Sequence, residues 1–116
     1  MLTDLDGCVL HWSRGCEELY GWRADQVLGR SKYELLASRS EEGDAGAMPA
    51  DTPWSERHLL EVRRDGTVVR VLEQSRRVQD SGLRPILVLS MVDITARVAA
   101  EQALRDSEER LSLIHI

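Results

Sequence analysis

Three histidines, His11, His58 and His115, and two cysteines, Cys8 and Cys16, carry whatever metal or nucleophilic chemistry this chain could perform. Their arrangement assembles none of the known constellations. Two cysteines are too few for a structural zinc set or a disulfide framework, so reduced thiols are expected. No glycine-rich phosphate loop occurs, and no nucleophile, base and orienting acid stand in a readable pattern. His58, on a strand, reads as a half-buried sheet residue before it reads as a ligand. No metal site and no catalysis are expected of this chain.

The remaining polar and aromatic candidates concern binding. Glu73 lies between Leu72 and Gln74 in a largely apolar strand. There its carboxylate could hydrogen-bond an interior ligand, although solvent is the expected place for a lone carboxylate. Trp12, Trp22 and Trp54, with Tyr20 and Tyr33, could line a cavity; in a chain without phenylalanine, core filling comes first. Trp12, Leu19, Tyr20, Trp22, Leu36 and Glu73 form the candidate pocket set.

The elements that would position these residues must fit a chain of 116 residues, enough for one domain and a short extension. With 42% hydrophobic and 30% charged residues it reads as globular. A net charge of -5, with arginines interspersed among acids, argues against a nucleic-acid surface. No apolar stretch reaches the roughly 18 residues of a membrane span, and the N-terminus lacks the form of a signal peptide. No direct membrane contact and a cytoplasmic location are expected.

Leu2 to Leu5 reads as a short, poorly anchored first strand, turned by Asp4 to Gly7 into a second strand, Cys8 to Trp12. Ser13 is a plausible N-cap for a helix with Cys16, Leu19 and Tyr20 on one face, ended by Gly21. Ala24 to Leu28 is a further helical turn, and Ser31 with Glu34 has capping-box spacing ahead of Leu35-Leu36. Ala37 to Pro53 is polar and aperiodic, a loop long enough to suggest function or mobility.

From Trp54 the strand signals resume. Trp54 to Arg63 places His58, Leu60 and Val62 on one face; Arg64-Asp65-Gly66-Thr67 is a hairpin turn; Val68 to Val78 follows. Asp80-Ser81-Gly82 turns this strand into Ile86 to Val92. Three late strands and two early ones predict a five-stranded antiparallel sheet with short helices on one face, an α+β architecture. In the last strand Leu87, Leu89 and Met91 point one way and Ile86, Val88 and Val92 the other, so both faces must meet something. A charged, alanine-rich helix then runs from Thr95 to Leu111. Ala100, Leu104, Ser107 and Leu111 keep the a/d rhythm of a thin coiled-coil seam, and Glu101 with Arg105 suits an intrahelical ion pair.

The order of strand, Asp93-Ile94-Thr95 and helix, with Asp65-Gly66-Thr67 upstream, resembles the C-terminal part of PAS sensor domains, especially those of bacterial sensor histidine kinases. Trp12 to Trp22, followed by Val27-Leu28-Gly29-Arg30, resembles the short-helix segment of the same family. The likeness runs from about Leu2 to Leu111. It implies the five-stranded PAS fold, with residues 1–95 as the domain, its first strand truncated, and 96–111 as a signalling helix. Residues 112–116 either open a following domain or resemble translated adapter sequence, a non-native tail without function.

The resemblance further implies a sensory or relay module of a two-component signal-transduction protein. Asp93, Ile94 and Thr95 would couple a change at the pocket or dimer face to the linker helix of a histidine kinase. The alternative is a ligand-free dimerisation and spacer module, or a PAS module of a cyclic-dinucleotide signalling protein. Homodimerisation through the sheet face and linker helix is implied, with a kinase or further PAS domain downstream. The family's pocket-walling helix is short or missing between Ala37 and Pro53, and that stretch holds no histidine for a haem. The flavin-binding segment of the family is also absent, so no cofactor is evident.

Overall fold

The computed structural model describes residues 1–49, 52–79, 82 and 84–114, with side chains described through residue 108. The predicted turn residues Asp80 and Ser81, the side chain of Leu111, and His115 lie outside these.

Strand formation follows the period-2 signals most directly in the late part of the chain. Trp54–Val62 (β5) and Val68–Val78 (β6) pair antiparallel in unbroken register from Trp54↔Arg76 to Val62↔Val68. Between them Asp65 Oδ1 accepts the Thr67 backbone N–H at 3.0 Å, and Gly66 takes the left-handed conformation, φ 89°, that the turn requires. Ile86–Asp93 (β7) pairs with β6 from Val78↔Ile86 to Val71↔Asp93.

The early strands are short, Leu2–Thr3 (β1) and Val9–His11 (β2). β1 is nonetheless well anchored, contrary to expectation. It lies between β2 and β7, Thr3 is fully buried, and the Met1 carbonyl accepts from Leu89 N at 2.9 Å. A place between two strands supplies two ladders to a segment whose sequence offers only one weak strand signal.

Helices Arg14–Tyr20 (α1), Ala24–Val27 (α2) and Lys32–Leu35 (α3) follow β2. Ser13 caps α1 by accepting Cys16 N, and Gly21 ends it at φ 79°. Ser31 caps α3 through Glu34 N at 3.4 Å. The stretch from Ala37 to Pro53 contains no helix among its described residues. It instead forms a small ribbon, Arg39–Ser40 (β3) and Gly43–Asp44 (β4), which joins the sheet at Arg39↔Leu60. Among the described residues the sheet therefore has seven strands, two more than the five expected, in the order β2-β1-β7-β6-β5-β3-β4.

The core lies between α1, α3 and one face of this sheet. Val69, Val71 and Leu59 are buried there with Leu36, Tyr20 and Val9. The phase of β5 is opposite to a reading that buries His58: Ser55, Leu59 and Glu61 point inward and His58 is exposed. Trp54 is 53% exposed and fills no core. In β7, Leu87 and Leu89 are buried, worth about 1.5–3 kcal/mol each. On its other face Val88 and Val92 are 39% and 50% exposed, so the strand has two apolar faces and only one is covered.

Thr95–Ile114 (α4) leaves β7 after a single intervening residue, Ile94. Leu104 of the expected seam is 61% exposed, and Ala100 and Ser107 are exposed with it. Glu101 pairs back with Arg97 at 3.2 Å, not forward with Arg105.

Candidate functional site: a buried ion cluster and the base of the outgoing helix

Two strand positions in phase with core residues carry carboxylates. Glu61 alternates with Leu59 on β5, and Glu73 with Val71 on β6, so both side chains enter the interior and both are fully buried. Glu73 does not face solvent. An isolated buried carboxylate would cost several kcal/mol, so each must be matched by a cation and hydrogen bonds.

Lys32 supplies the first match. Its backbone N–H donates to the Gly7 carbonyl at 3.0 Å and Val9 N donates to Arg30 O at 2.9 Å, which ties the start of α3 to β2 and aims Lys32 inward. Gly7 allows this approach: its φ is 89°, and a Cβ there would lie 2.9 Å from Tyr33 Cδ2. The Lys32 ammonium, with no exposure, contacts Glu73 Oε2 closely and Glu61 Oε2 at 3.0 Å. It also lies 4.7 Å from the Tyr33 ring centroid.

Hydroxyls and a guanidinium complete the shell. Glu61 accepts from the Tyr20 and Ser38 hydroxyls, each at 2.5 Å. Glu73 accepts from Arg57 Nη2 at 2.8 Å and from the Tyr33 hydroxyl at 3.2 Å. Ser38 reaches inward because Ala37 adopts φ 45°, turning the chain sharply after α3. Two carboxylates thus face two cations. Burial pushes the Glu73 carboxyl up, but Lys32 and Arg57 outweigh it and hold the group below the ordinary carboxylate range. Burial lowers Lys32, yet Glu61 and Glu73 hold it above the ordinary lysine range. Burial, with Glu61 beside it, raises the Tyr20 phenol. Tyr33 is pushed up to about 12, mainly by burial.

Of the candidate pocket residues, Trp12, Tyr20, Leu36 and Glu73 are brought together in this interior, while Leu19 and Trp22 pack at its edge. Trp12 tilts against Tyr20 with ring centroids 5.5 Å apart and donates from Nε1 to the Trp22 carbonyl at 2.9 Å. Trp22 lies under the guanidiniums of Arg30 and Arg64. Lys32, Ser38, Arg57 and Glu61 were not legible as site residues. The alternation of β5 around Leu59 could have marked Arg57 and Glu61; no local pattern marks Lys32 or Ser38.

The second locus is the junction after β7. Asp93 Oδ1 accepts Thr95 N at 2.9 Å and its Oδ2 lies 3.3 Å from Arg63 Nη2. The hydrogen bond from the Thr95 backbone, chiefly, holds the Asp93 carboxyl below its usual range. Thr95 also reaches across to the sheet through its hydroxyl. Its Oγ1 accepts Arg70 N from β6 at 3.0 Å, beside the bond from Ile94 N to Arg70 O at 2.9 Å. Ile94 is buried. The first turn of α4 is thereby pinned to a central pair of strands.

The interior as packed does not fit a haem or a flavin. The space between α1, α3 and the sheet is filled by the cluster and its hydrophobic neighbours. A cavity of about 640 Å³, lined by Ser40 to Glu42, Asp44 to Pro49, Arg57 and His58, opens to solvent beside the ribbon. Among the described residues, no three of His, Cys, Asp and Glu gather where they could hold a metal ion. No helix among them is long and apolar enough to cross a membrane.

An α+β fold with this strand order, short helices on one face and a helix leaving an interior strand defines a PAS-type regulatory module. Residues 1–96 match the family model for the PAS domain, and the chain belongs to that family. Among solved structures it is similar to the dark structure of the blue-light photoreceptor Aureochrome1 LOV, with 25% identity and a TM-score of 0.54 over 90% of this chain and 83% of that one. The light-state structure of the same photoreceptor domain is similar in fold, with 22% identity and a TM-score of 0.51 over 88% of this chain and 90% of that one. A comparison with curated proteins found no match.

Proposed function

We propose that this PAS domain is a ligand-independent dimerisation and relay module of a longer signalling protein, with α4 leading to the output domain. One observation carries the reading: the interior is filled by a charge-paired cluster of the chain's own side chains. A small molecule would have to displace Lys32 or Arg57 from a buried carboxylate, and breaking such a pair costs about 3–5 kcal/mol. Signals therefore enter through surfaces. The uncovered face of β7 and β6, with Val88 and Val92 exposed and Leu72 half-buried, suits a second copy of this chain.

Asp93, Ile94 and Thr95 serve as the latch between sheet and helix, with residues 1–95 as the domain and 96–111 as its lever. Each polar bond of the latch is worth about 1 kcal/mol, so the helix can change its angle without unfolding the sheet. A sensor histidine kinase is the output that best suits the strand, Asp-Ile-Thr, helix order; a further PAS domain or a cyclic-dinucleotide enzyme would use the same lever.

Sedimentation of chains ending at Val92 and at Leu111, with native mass spectrometry of the full chain, tests the reading. Pairing that needs α4, and a mass per protomer equal to the polypeptide with no added small molecule, are expected. A stoichiometric small molecule, or monomers in every case, would overturn it.

A further inference from the structure

The interior cluster is organised around one point. The oxygens Glu61 Oε2 and Glu73 Oε2 converge on the Lys32 ammonium, and an aromatic ring, Tyr33, stands beside it. Every other contact is already allotted: Tyr20 and Ser38 hydroxyls donate to Glu61, and Arg57 and Tyr33 to Glu73. Arg57 balances one of the two negative charges. What remains without Lys32 is a buried socket with one net negative charge and two acceptors placed for N–H donors. We propose that Glu61 and Glu73 form an internal binding site for a primary ammonium group, and that Lys32 is its resident, covalently tethered occupant.

This inference rests on the ligand-independent reading and deepens it, because it states what stands where a ligand would be. The chemistry selects the class. One unbalanced negative charge calls for a monocation, and contacts at hydrogen-bond distance call for a cation that donates. A quaternary ammonium offers charge without donors, and an alcohol offers a donor without charge. Lys32 keeps its proton in place because the two carboxylates outweigh the effect of burial. Its backbone anchor on Gly7 delivers the ammonium at the right depth.

Chemical rescue in the full chain tests the proposal. Lys32→Ala removes the side chain beyond Cβ, and propylammonium restores the atoms removed. The thermal midpoint of Lys32→Ala is expected below that of the wild type, and to rise with the logarithm of propylammonium concentration. Propanol and tetramethylammonium should leave it unchanged, and the wild type should respond to none of the three. No response to propylammonium, or an equal response to propanol, would overturn the site. Should Lys32→Ala stay unfolded throughout, the pair Lys32→Met and Lys32→Met/Glu61→Gln decides. Recovery of folding in the double variant supports an uncompensated charge at the socket; no recovery overturns it. A small molecule retained by the wild type in native mass spectrometry would defeat the ligand-independent reading instead, whatever the rescue shows.

Discussion

Glu61 and Arg63, at the end of β5, both grip the C-terminal end of α1: Glu61 accepts from the Tyr20 hydroxyl at 2.5 Å, and Arg63 Nε donates to the Leu19 carbonyl at 3.0 Å. Arg63 also reaches Asp93 at the base of α4. One helix end is therefore joined to the buried cluster through Tyr20 and to the outgoing helix through Arg63. A shift of α1 would be felt at both.

Tyr20→Phe removes a hydroxyl from a buried carboxylate without opening a cavity. Hydrogen bonds to charged groups contribute about 1.5–3 kcal/mol, and a loss of that size is expected in urea unfolding. Trp12, packed on the Tyr20 ring, should keep its fluorescence maximum, since the ring itself stays in place.

The pH dependence of stability follows from the cluster's two signs. Glu73 has a folded pKa below its ordinary 4.5, so its contribution is complete above that range and lost as pH falls through the folded value. Lys32 lies above its ordinary 10.5, so its contribution is complete below that range and lost as pH rises through the folded value. Between about pH 6 and 9 the cluster should add no slope. Urea midpoints measured from pH 3 to 9 should show a plateau and an acid decline. Glu73→Gln should lose about 3 kcal/mol on the plateau and decline less steeply.

Asp93→Ala deprives Thr95 N of its acceptor and Arg63 of one of its partners. The pair with Arg63 is partly exposed and adds little. A loss of about 1 kcal/mol is expected, with the fold intact. Hydrogen exchange should accelerate at Thr95 and Val98 while the amides of β6 and β7 keep their protection.

Gly7→Ala meets two obstacles, a φ of 89° and a contact of 2.9 Å with Tyr33. Left-handed strain and overpacking together should cost about 2–4 kcal/mol. Because Tyr33 belongs to the cluster, near-ultraviolet circular dichroism of its tyrosines should change along with the unfolding midpoint.

Relieving strain should act in the opposite direction. Ala37 holds φ 45° at the end of α3. Ala37→Gly is expected to raise stability by up to about 1 kcal/mol in the same urea measurement.

Much of the architecture was written locally. Ser13 and Gly21 bound α1, Asp65 and Gly66 make the β5–β6 turn, and Asp93-Ile94-Thr95 marks the passage from β7 to α4, because caps, turns and side-chain alternation act over a few residues. The two apolar faces of β7 were readable for the same reason. The direction of Glu73 was not: in isolation a carboxylate belongs in water, and only a cation brought from elsewhere reverses that balance. Lys32 and Glu73 are 41 positions apart, as are Tyr20 and Glu61. Their meeting depends on α1 and α3 folding over strands β5 and β6. Likewise β1 is held in place by neighbours at both edges, which its own few residues do not announce. Tertiary structure decided the chemistry of the interior, since a buried charge is tolerable only where distant segments deliver its counterion.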